Sequence, residues 1–542
     1  MATTTSNTEI VGIGDRTRIS RLLTRLDRGY QWLASWELLA CGFILVLTLG
    51  LRAALLPWFP IPEPTVHDEF SYLLAADTYA HGRLTNPPHA FWQHFESFHV
   101  LMQPTYISKY QPLQGLVLAF GQKFFGQPWI GVYLSAGFVG AAICWMLQGW
   151  IAPGWALLGA LLFVLRVGVL TFWMNSYSGG AVPGIGGALV LGAVVRVWQR
   201  GQFVHSITWA LGLAILALSR PYDAAVLGCA TAAILLWFWC KSRTPLSTIC
   251  IRFGLRALMI LTLCAAGIAY NDYRVTGHPL SLPYQVHEQQ YAVASMFTMM
   301  PLRPEPRYHH AIMRQFWADW NVGQWQIAKA HPLPVLLVDF YIFYSFYFPF
   351  WILLIPMLLC PYDLENEEER VTVFLLLVMG LMVASLIVIQ PHYVAAFAGV
   401  LYLRFLHSLT RFLSWQPGGK PVGRALGVLL VSLFVADFCS KVFETIHTSS
   451  HESPRHSVIQ TLQKQPGQQL VLIRYAPDHS PHNEWVYNRA DIDASPIVWA
   501  REMGPEEDRP FLEYFRNRKV WLLEPDRSPP KLSLYPREVT SR

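Results

Sequence analysis

WELLACGFILVLTLGLRAALLPWFPIPEPTVHDEFSYLLAADTYAHG, from Trp36 to Gly82, carries the two features on which the fold turns. Its first half is an apolar run with a charge towards each end, Glu37 and Arg52, and about 20 such residues make a helix that crosses about 30 Å of hydrocarbon. Its second half opens on an acidic pair, Asp68 and Glu69, at the expected membrane exit. Phe70, Leu73, Leu74, Ala76 and Tyr79 then follow at roughly helical spacing. The pattern predicts a helix lying along the interface with its carboxylates at the positive end of its dipole. Either acid reads equally well as the N-cap of that helix.

The rest of the chain extends the first of these features. Of its 542 residues 53% are hydrophobic and 14% charged, and the mean hydropathy is +0.30, whereas a soluble domain carries about 25% charged residues. A water-soluble core does not absorb that much apolar surface, so the lipid bilayer is the main solvent. Apolar spans are expected near residues 36–57, 129–149, 154–175, 180–198, 206–219, 222–240, 251–271, 334–358, 371–389, 392–410 and 425–441, about eleven in all.

The formal charge of +6 comes from basic residues grouped between the spans, which points to topology and excludes a nucleic-acid partner. Arg16, Arg18, Arg21, Arg25 and Arg28 precede the first span, and Lys241, Arg243 and Arg252 flank the turn after the sixth. With these clusters inside, residues 1–35 form a retained cytoplasmic tail, 36–441 the membrane region and 442–542 an extracytoplasmic tail. Residues 58–128 and 272–333 become large outer loops. The location expected is a bacterial-type inner membrane, crossed many times. The eight cysteines include no CxxC pair and lie in or beside apolar spans, so neither a disulfide framework nor a structural zinc site is expected.

In the tail, Gln468–Ala476 and Arg518–Pro525 read as buried strands with an amphipathic helix, Pro505–Arg518, between them. The fold class is therefore an all-α polytopic membrane protein with large outer loops and a small C-terminal α/β domain. Trp485, Tyr487, Asn488, Asp491, Asp493 and Trp499 in HNEWVYNRADIDASPIVWARE are expected to seal the small domain onto the outer loops, with a carbohydrate platform as the alternative.

The acidic pair followed by Tyr72 and Ala76, a DExxYxxxA pattern, resembles the GT-C membrane glycosyltransferases of the family 39 type. That family includes protein mannosyltransferases and aminoarabinose transferases of lipid A. A PPL-like motif and a later glycine are matched by Gln111, Pro112, Leu113 and Gly126, with glutamine in place of the first proline. The resemblance implies an inverting transfer of sugar from a polyprenyl-phosphate carrier to a lipid, glycan or protein acceptor at the outer face. It implies Asp68 as general base, a role that needs a carboxylate within hydrogen-bond reach of the acceptor hydroxyl. Glu69 is left to orient the acceptor or to ligate a metal.

A phosphate leaving group calls for cations and donors at the interface. Arg220 and Tyr222 in SRPYDA meet that need, as do His392 and Tyr393 in QPHYVAA, and Lys109 and Arg83 are further candidates in the first loop. For Arg220 the competing reading is an interfacial arginine paired with Asp223. Arg166 lies inside a span and requires a partner or a polar cavity. His94, Glu96 and His99 in HFESFH have the residue types of a divalent-metal site, although helical geometry would spread them and a loop would be needed. A transporter or a non-catalytic assembly factor are the competing classes. Against transport stand the lack of visible inverted repeats and the weight of the outer loops.

Overall fold

The computed structural model describes residues 8–360, 362–447 and 453–536. Helix α1 (Thr8–Ser35) leads into α2 (Glu37–Ala54), the first of seven described helices long and apolar enough to cross a membrane. The others are Trp129–Trp150, Ala181–Arg200, Pro221–Lys241, Leu246–Thr276, Pro391–Leu413 and Val422–His447. The expected count of eleven is thereby reduced, because four of the expected segments are helical but do not qualify. Pro153–Gly168 and His205–Ala217 are too short. Glu367–Ala384 opens on Glu367, Glu368, Glu369 and Arg370, which a hydrocarbon core does not accept. Pro332–Tyr347 meets Ala311–Ala330 at a bend of 110°, and counting that pair as one span gives eight.

The bundle closes through small residues. Ala181–Arg200 is its most buried span, and a Cβ at Gly186 would stand 2.9 Å from the carbonyl oxygen of Gly212 while one at Gly212 would stand 2.7 Å from that of Gly186. Two backbones approach this closely only without side chains between them. Gly187 takes the carbonyl of Ala396 in the same way, which presses the QPHYVAA turn onto the central helix.

The buried arginines are all engaged. Arg166 bridges to Asp437 at 2.8 Å and donates to the carbonyls of Phe346 and Ser345, so its position within a span is structural. Arg52 donates to Asn175 Oδ1 at 2.9 Å and to the carbonyls of Phe59 and Pro60 at 2.8 and 3.1 Å. It thereby clamps the chain leaving α2 and sets where the acidic helix begins.

The three polar segments gather at one end of the bundle. The first loop holds α3 (His67–Ala80) and a short antiparallel ladder, β1 (Val100–Leu101) with β2 (Ile107–Ser108), before α4 (Pro112–Phe125). In the tail β3 (Gln469–Ile473), β4 (Ile497–Arg501), β5 (Lys519–Glu524) and β6 (Lys531–Leu534) form one sheet in the order β4-β3-β5-β6, with β6 alone antiparallel. Side chains alternate between its faces. Leu470 and Leu472 pack with Leu74, Phe95 and Tyr106 of the first loop, whereas Val471 and Ile473 pack with Trp485 and the helix Pro454–Gln463.

The sheet and the first loop therefore share a core, and burying each large apolar side chain in it contributes about 1.5–3 kcal/mol. Polar bonds fix the register of this seam: Ala490 N–H to Asp77 at 2.9 Å, Tyr106 Oη–H to the Asn488 carbonyl at 3.1 Å, and Arg501 Nε–H to the Glu96 carbonyl at 2.7 Å. The second loop closes on the first through Phe98, Tyr291, Ile312 and Phe316.

Candidate active site

Helix α3 is N-capped at Val66, which has no side-chain acceptor, and the acid at its third position completes the cap. Glu69 is 2% exposed. Its Oε2 accepts from the N–H groups of Thr65 and Val66 at 2.8 and 3.2 Å, and its Oε1 accepts from the N–H of Tyr177 at 2.9 Å. The cap reading thus belongs to Glu69, whose Oε2 is taken up by the cap and whose Oε1 is tied to the chain at Tyr177. Asp68 does no capping.

Asp68 faces the opposite way, its side chain 36% exposed. It accepts from the hydroxyl of Tyr110, with His67 Nδ1 at 3.1 Å and His99 Nε2 at 3.7 Å. Burial pulls this carboxyl upward, but His99 and His67, aided by the Tyr110 hydroxyl, hold it well below the usual carboxylate range. The ladder of β1 and β2 brings these partners together. His99, in the left-handed region at φ 60°, has its carbonyl held by Ser71 Oγ at 2.6 Å and by the N–H of Lys109 at 3.0 Å. His67 Nε2 lies 3.2 Å from His482 Nδ1, so the tail reaches the site's edge.

Lys109 is 3% exposed, and its ammonium sits 4.6 Å from the ring of Tyr284 and 5.1 Å from that of Trp317. Burial lowers its pKa to about 8, with Asp68 and Glu288 opposing. His287 beside it has neither ring nitrogen hydrogen-bonded among the described residues.

Arg220 stands at the start of Pro221–Lys241 with its guanidinium 4.6 Å from the ring of Tyr393. No carboxylate of the described residues lies within ion-pair distance of it, Asp223 included. The Leu113 N–H donates to the Leu218 carbonyl at 2.9 Å, tying the start of α4 to this turn. The Gln111-Pro112-Leu113 motif and Gly126 thereby gain a structural meaning, with Pro112 in the first turn of α4 and Gly126 ending it at φ 71°. Tyr72 stacks on Tyr110 at 4.5 Å and feels the charges of both Arg220 and Asp68, as Tyr393 does. Both tyrosines therefore lie within electrostatic reach of the acid and of the cation.

The other expected residues divide between this site and the surrounding packing. Tyr222 bonds to Ser385 Oγ at 2.7 Å and packs on Phe297, which gives it to helix packing. Arg83 lies beyond the far end of α3, which at about 1.5 Å per residue is some 20 Å from Asp68. His392 packs against Phe172 and Tyr393, beside Arg220. The expected metal set of His94, Glu96 and His99 is dispersed, because Trp92–Phe95 is a 3-10 turn that aims them apart. His94 pairs with Asp508 at 3.2 Å, Glu96 takes Tyr291 Oη–H at 2.7 Å, and His99 turns to Asp68. Among the described residues the group whose ligand atoms converge, all within 4.8 Å of one another, is His67, Asp68 and His99. His67 is the residue that the run HFESFH concealed, since it sits in HDEF, next to Asp68.

No protein-family profile matches the sequence, and no curated protein sequence matches it. Solved structures do. The oligosaccharyltransferase of Archaeoglobus fulgidus in its apo form superposes with a TM-score of 0.51 at 9% identity over 81% of this chain. ArnT of Cupriavidus metallidurans bound to undecaprenyl phosphate superposes with a TM-score of 0.50 at 11% identity, over 90% of this chain and 92% of that one. The fold is that of the GT-C glycosyltransferases. This chain spans 62% of the length of the archaeal GT-C structure. At such identities the likeness is one of GT-C architecture, and the chemistry has to be argued from the site.

Proposed function

We propose that this protein is an inverting glycosyltransferase that takes sugar from a polyprenyl-phosphate carrier at the outer face of the inner membrane, with its N-terminus cytoplasmic and its tail outside. The observation that carries the reading is the division of labour in the acidic pair. Glu69 caps α3, and Asp68 is left facing a site that also holds the guanidinium of Arg220, which has no ion-pair partner among the described residues.

Asp68 is the general base. It takes the proton of the acceptor hydroxyl as that oxygen bonds to the anomeric carbon, while the bond from that carbon to the carrier oxygen breaks and its electron pair leaves on the phosphate. The acceptor is a hydroxyl of a lipid, glycan or protein. No second acid is needed, because phosphate departs without a proton, unlike the leaving groups of glycoside hydrolases. Arg220 binds the carrier phosphate in the fork geometry of guanidinium and phosphate. Lys109, Tyr393 and His392 line the same site. A divalent ion fits the converging atoms of His67, Asp68 and His99 and would supply positive charge to the reacting oxygens.

The test is transfer of radiolabelled sugar from a polyprenyl phosphate by purified Asp68→Asn protein, which keeps shape and hydrogen bonding but cannot accept the proton. A rate lower by roughly 10² to 10⁴ is expected. Near-normal transfer by folded variant protein would remove Asp68 from the chemistry.

A further inference from the structure

Behind the start of α3, between the tail and the first loop, lies a second recess. Its volume is about 660 Å³, within the roughly 300–1,000 Å³ usual for small-molecule sites. Phe70 and Trp485 form part of its lining, the helix Pro454–Gln463 presents Ser457 and Thr461 to it, and the turn after β5 closes it with Asp526.

Of the charged groups that line this recess, Glu484, Asp526, Arg527 and Arg455, the last is the one without an ion pair among the described residues. Its guanidinium sits 4.6 Å from the ring of Phe70 and 4.9 Å from that of Trp499, and Nη1 donates to the Trp485 carbonyl at 2.9 Å. Burial lowers its pKa to about 10, so it remains a cation at neutral pH. The acids around it are committed elsewhere. Glu484 is held by Arg501 at 2.6 Å and by the Tyr475 hydroxyl at 2.6 Å, Glu63 by His456 and Ser453, and Asp526 by His479 and the Ala476 N–H. Glu484 and Glu63 reach Arg455 only through space, and for a partly desolvated cation that has no direct ion pair an anion bound beside it offsets the cost of burial.

The remaining lining narrows the anion's chemistry. Ser457, Thr461 and Asn483 offer hydroxyl and amide groups, while Trp485 and the prolines at 454, 529 and 530 offer apolar faces. Hydroxyl partners, an aromatic wall and one guanidinium together match a sugar ring that carries a negative group.

We propose that this recess binds a saccharide bearing a carboxylate or phosphate, with Arg455 as its counter-ion. Such a group belongs to a negatively charged glycan acceptor. That source rests on the sugar-transfer reading, whereas the site itself does not. An occupant would press on Phe70 and on Thr65, whose N–H bonds Glu69, so it would border the segment that carries Asp68.

The experiment is calorimetric titration of the full-length protein in detergent, without donor, with digalacturonic acid, glucose 1-phosphate and maltose. At least one charged sugar is expected to bind tenfold or more tightly than neutral maltose, and Arg455→Gln to remove that preference. Ser457 is exposed, so Ser457→Trp fills the recess without disturbing the core, and it should abolish binding with melting temperature unchanged. Digalacturonate and glucose 1-phosphate report the carboxylate and phosphate forms separately. The proposal is overturned if neither binds, if maltose binds as tightly, or if Ser457→Trp leaves affinity unaltered. None of these outcomes depends on catalysis, so failure of the transfer reading and failure of this one remain distinct.

Discussion

Glu69 Oε1 accepts the backbone N–H of Tyr177 at 2.9 Å across 108 residues of chain, and this bond separates the fates of two adjacent acids. With Glu69 buried beneath the helix start, Asp68 is rotated into the site. Exchanging the acids one at a time should therefore give opposite signatures. Asp68→Asn is expected to lower the transfer rate and to cost less stability than the loss of the cap. Glu69→Gln leaves N–H groups of the cap without a charged acceptor and is expected to cost about 1–3 kcal/mol of stability, read by thermal unfolding in detergent. Equal loss of stability in both variants would refute the division.

Arg220 should answer to charge and to shape. Removing a hydrogen-bonded cation typically costs about 1.5–3 kcal/mol, roughly 10- to 100-fold in affinity, so Arg220→Ala should weaken undecaprenyl-phosphate binding by that factor. Arg220→Lys should recover part of it, since a point charge cannot form the paired bonds. Carrier affinity unchanged in Arg220→Ala would return this residue to anchoring at the interface.

The legibility of the sequence divides along the same line as the chemistry. The spans were readable because a long apolar run has one solvent it can occupy, and the strands Gln469–Ile473 and Lys519–Glu524 because runs such as LVLI and VWLL suit a buried sheet. Strand Ile497–Arg501 lay unread inside the aromatic segment, although the apolar run IVW was its signal. The roles of Asp68 and Glu69 were not readable, since a partner 108 residues away decides them. His94, Glu96 and His99 looked like ligands because they are close along the chain, whereas convergence depends on which way a turn aims each ring.

Lys109 supplies a pH dependence with a definite sign. Below about pH 8 the lysine is protonated in both folded and unfolded chains, and the folded state bears the cost of its burial. Between about pH 8 and its ordinary pKa near 10.4 the unfolded chain binds more protons, so stability rises with pH there, by roughly 3 kcal/mol at most. Carrier affinity should move oppositely, falling above about pH 8 as the cation is lost. Lys109→Met should flatten both profiles, measured by thermal melts and carrier titrations from pH 6 to 10. Unaltered profiles in that variant would exclude Lys109 as the titrating group.

The metal question reduces to which histidines respond. His67 and His99 flank Asp68 at 3.1 and 3.7 Å, so an ion there would meet ligand atoms of all three residues. Burial favours the neutral form of the His99 imidazole, which is the form that metal ligation requires. Calorimetric titration with Mn²⁺ or Zn²⁺ is expected to find one site in the native protein, lost in His99→Ala and in Asp68→Asn. His94→Gln should bind as the native protein does, because His94 is engaged with Asp508 in the seam to the tail. If His94→Gln abolishes binding and His99→Ala does not, the ion belongs to the seam and Asp68 works without it.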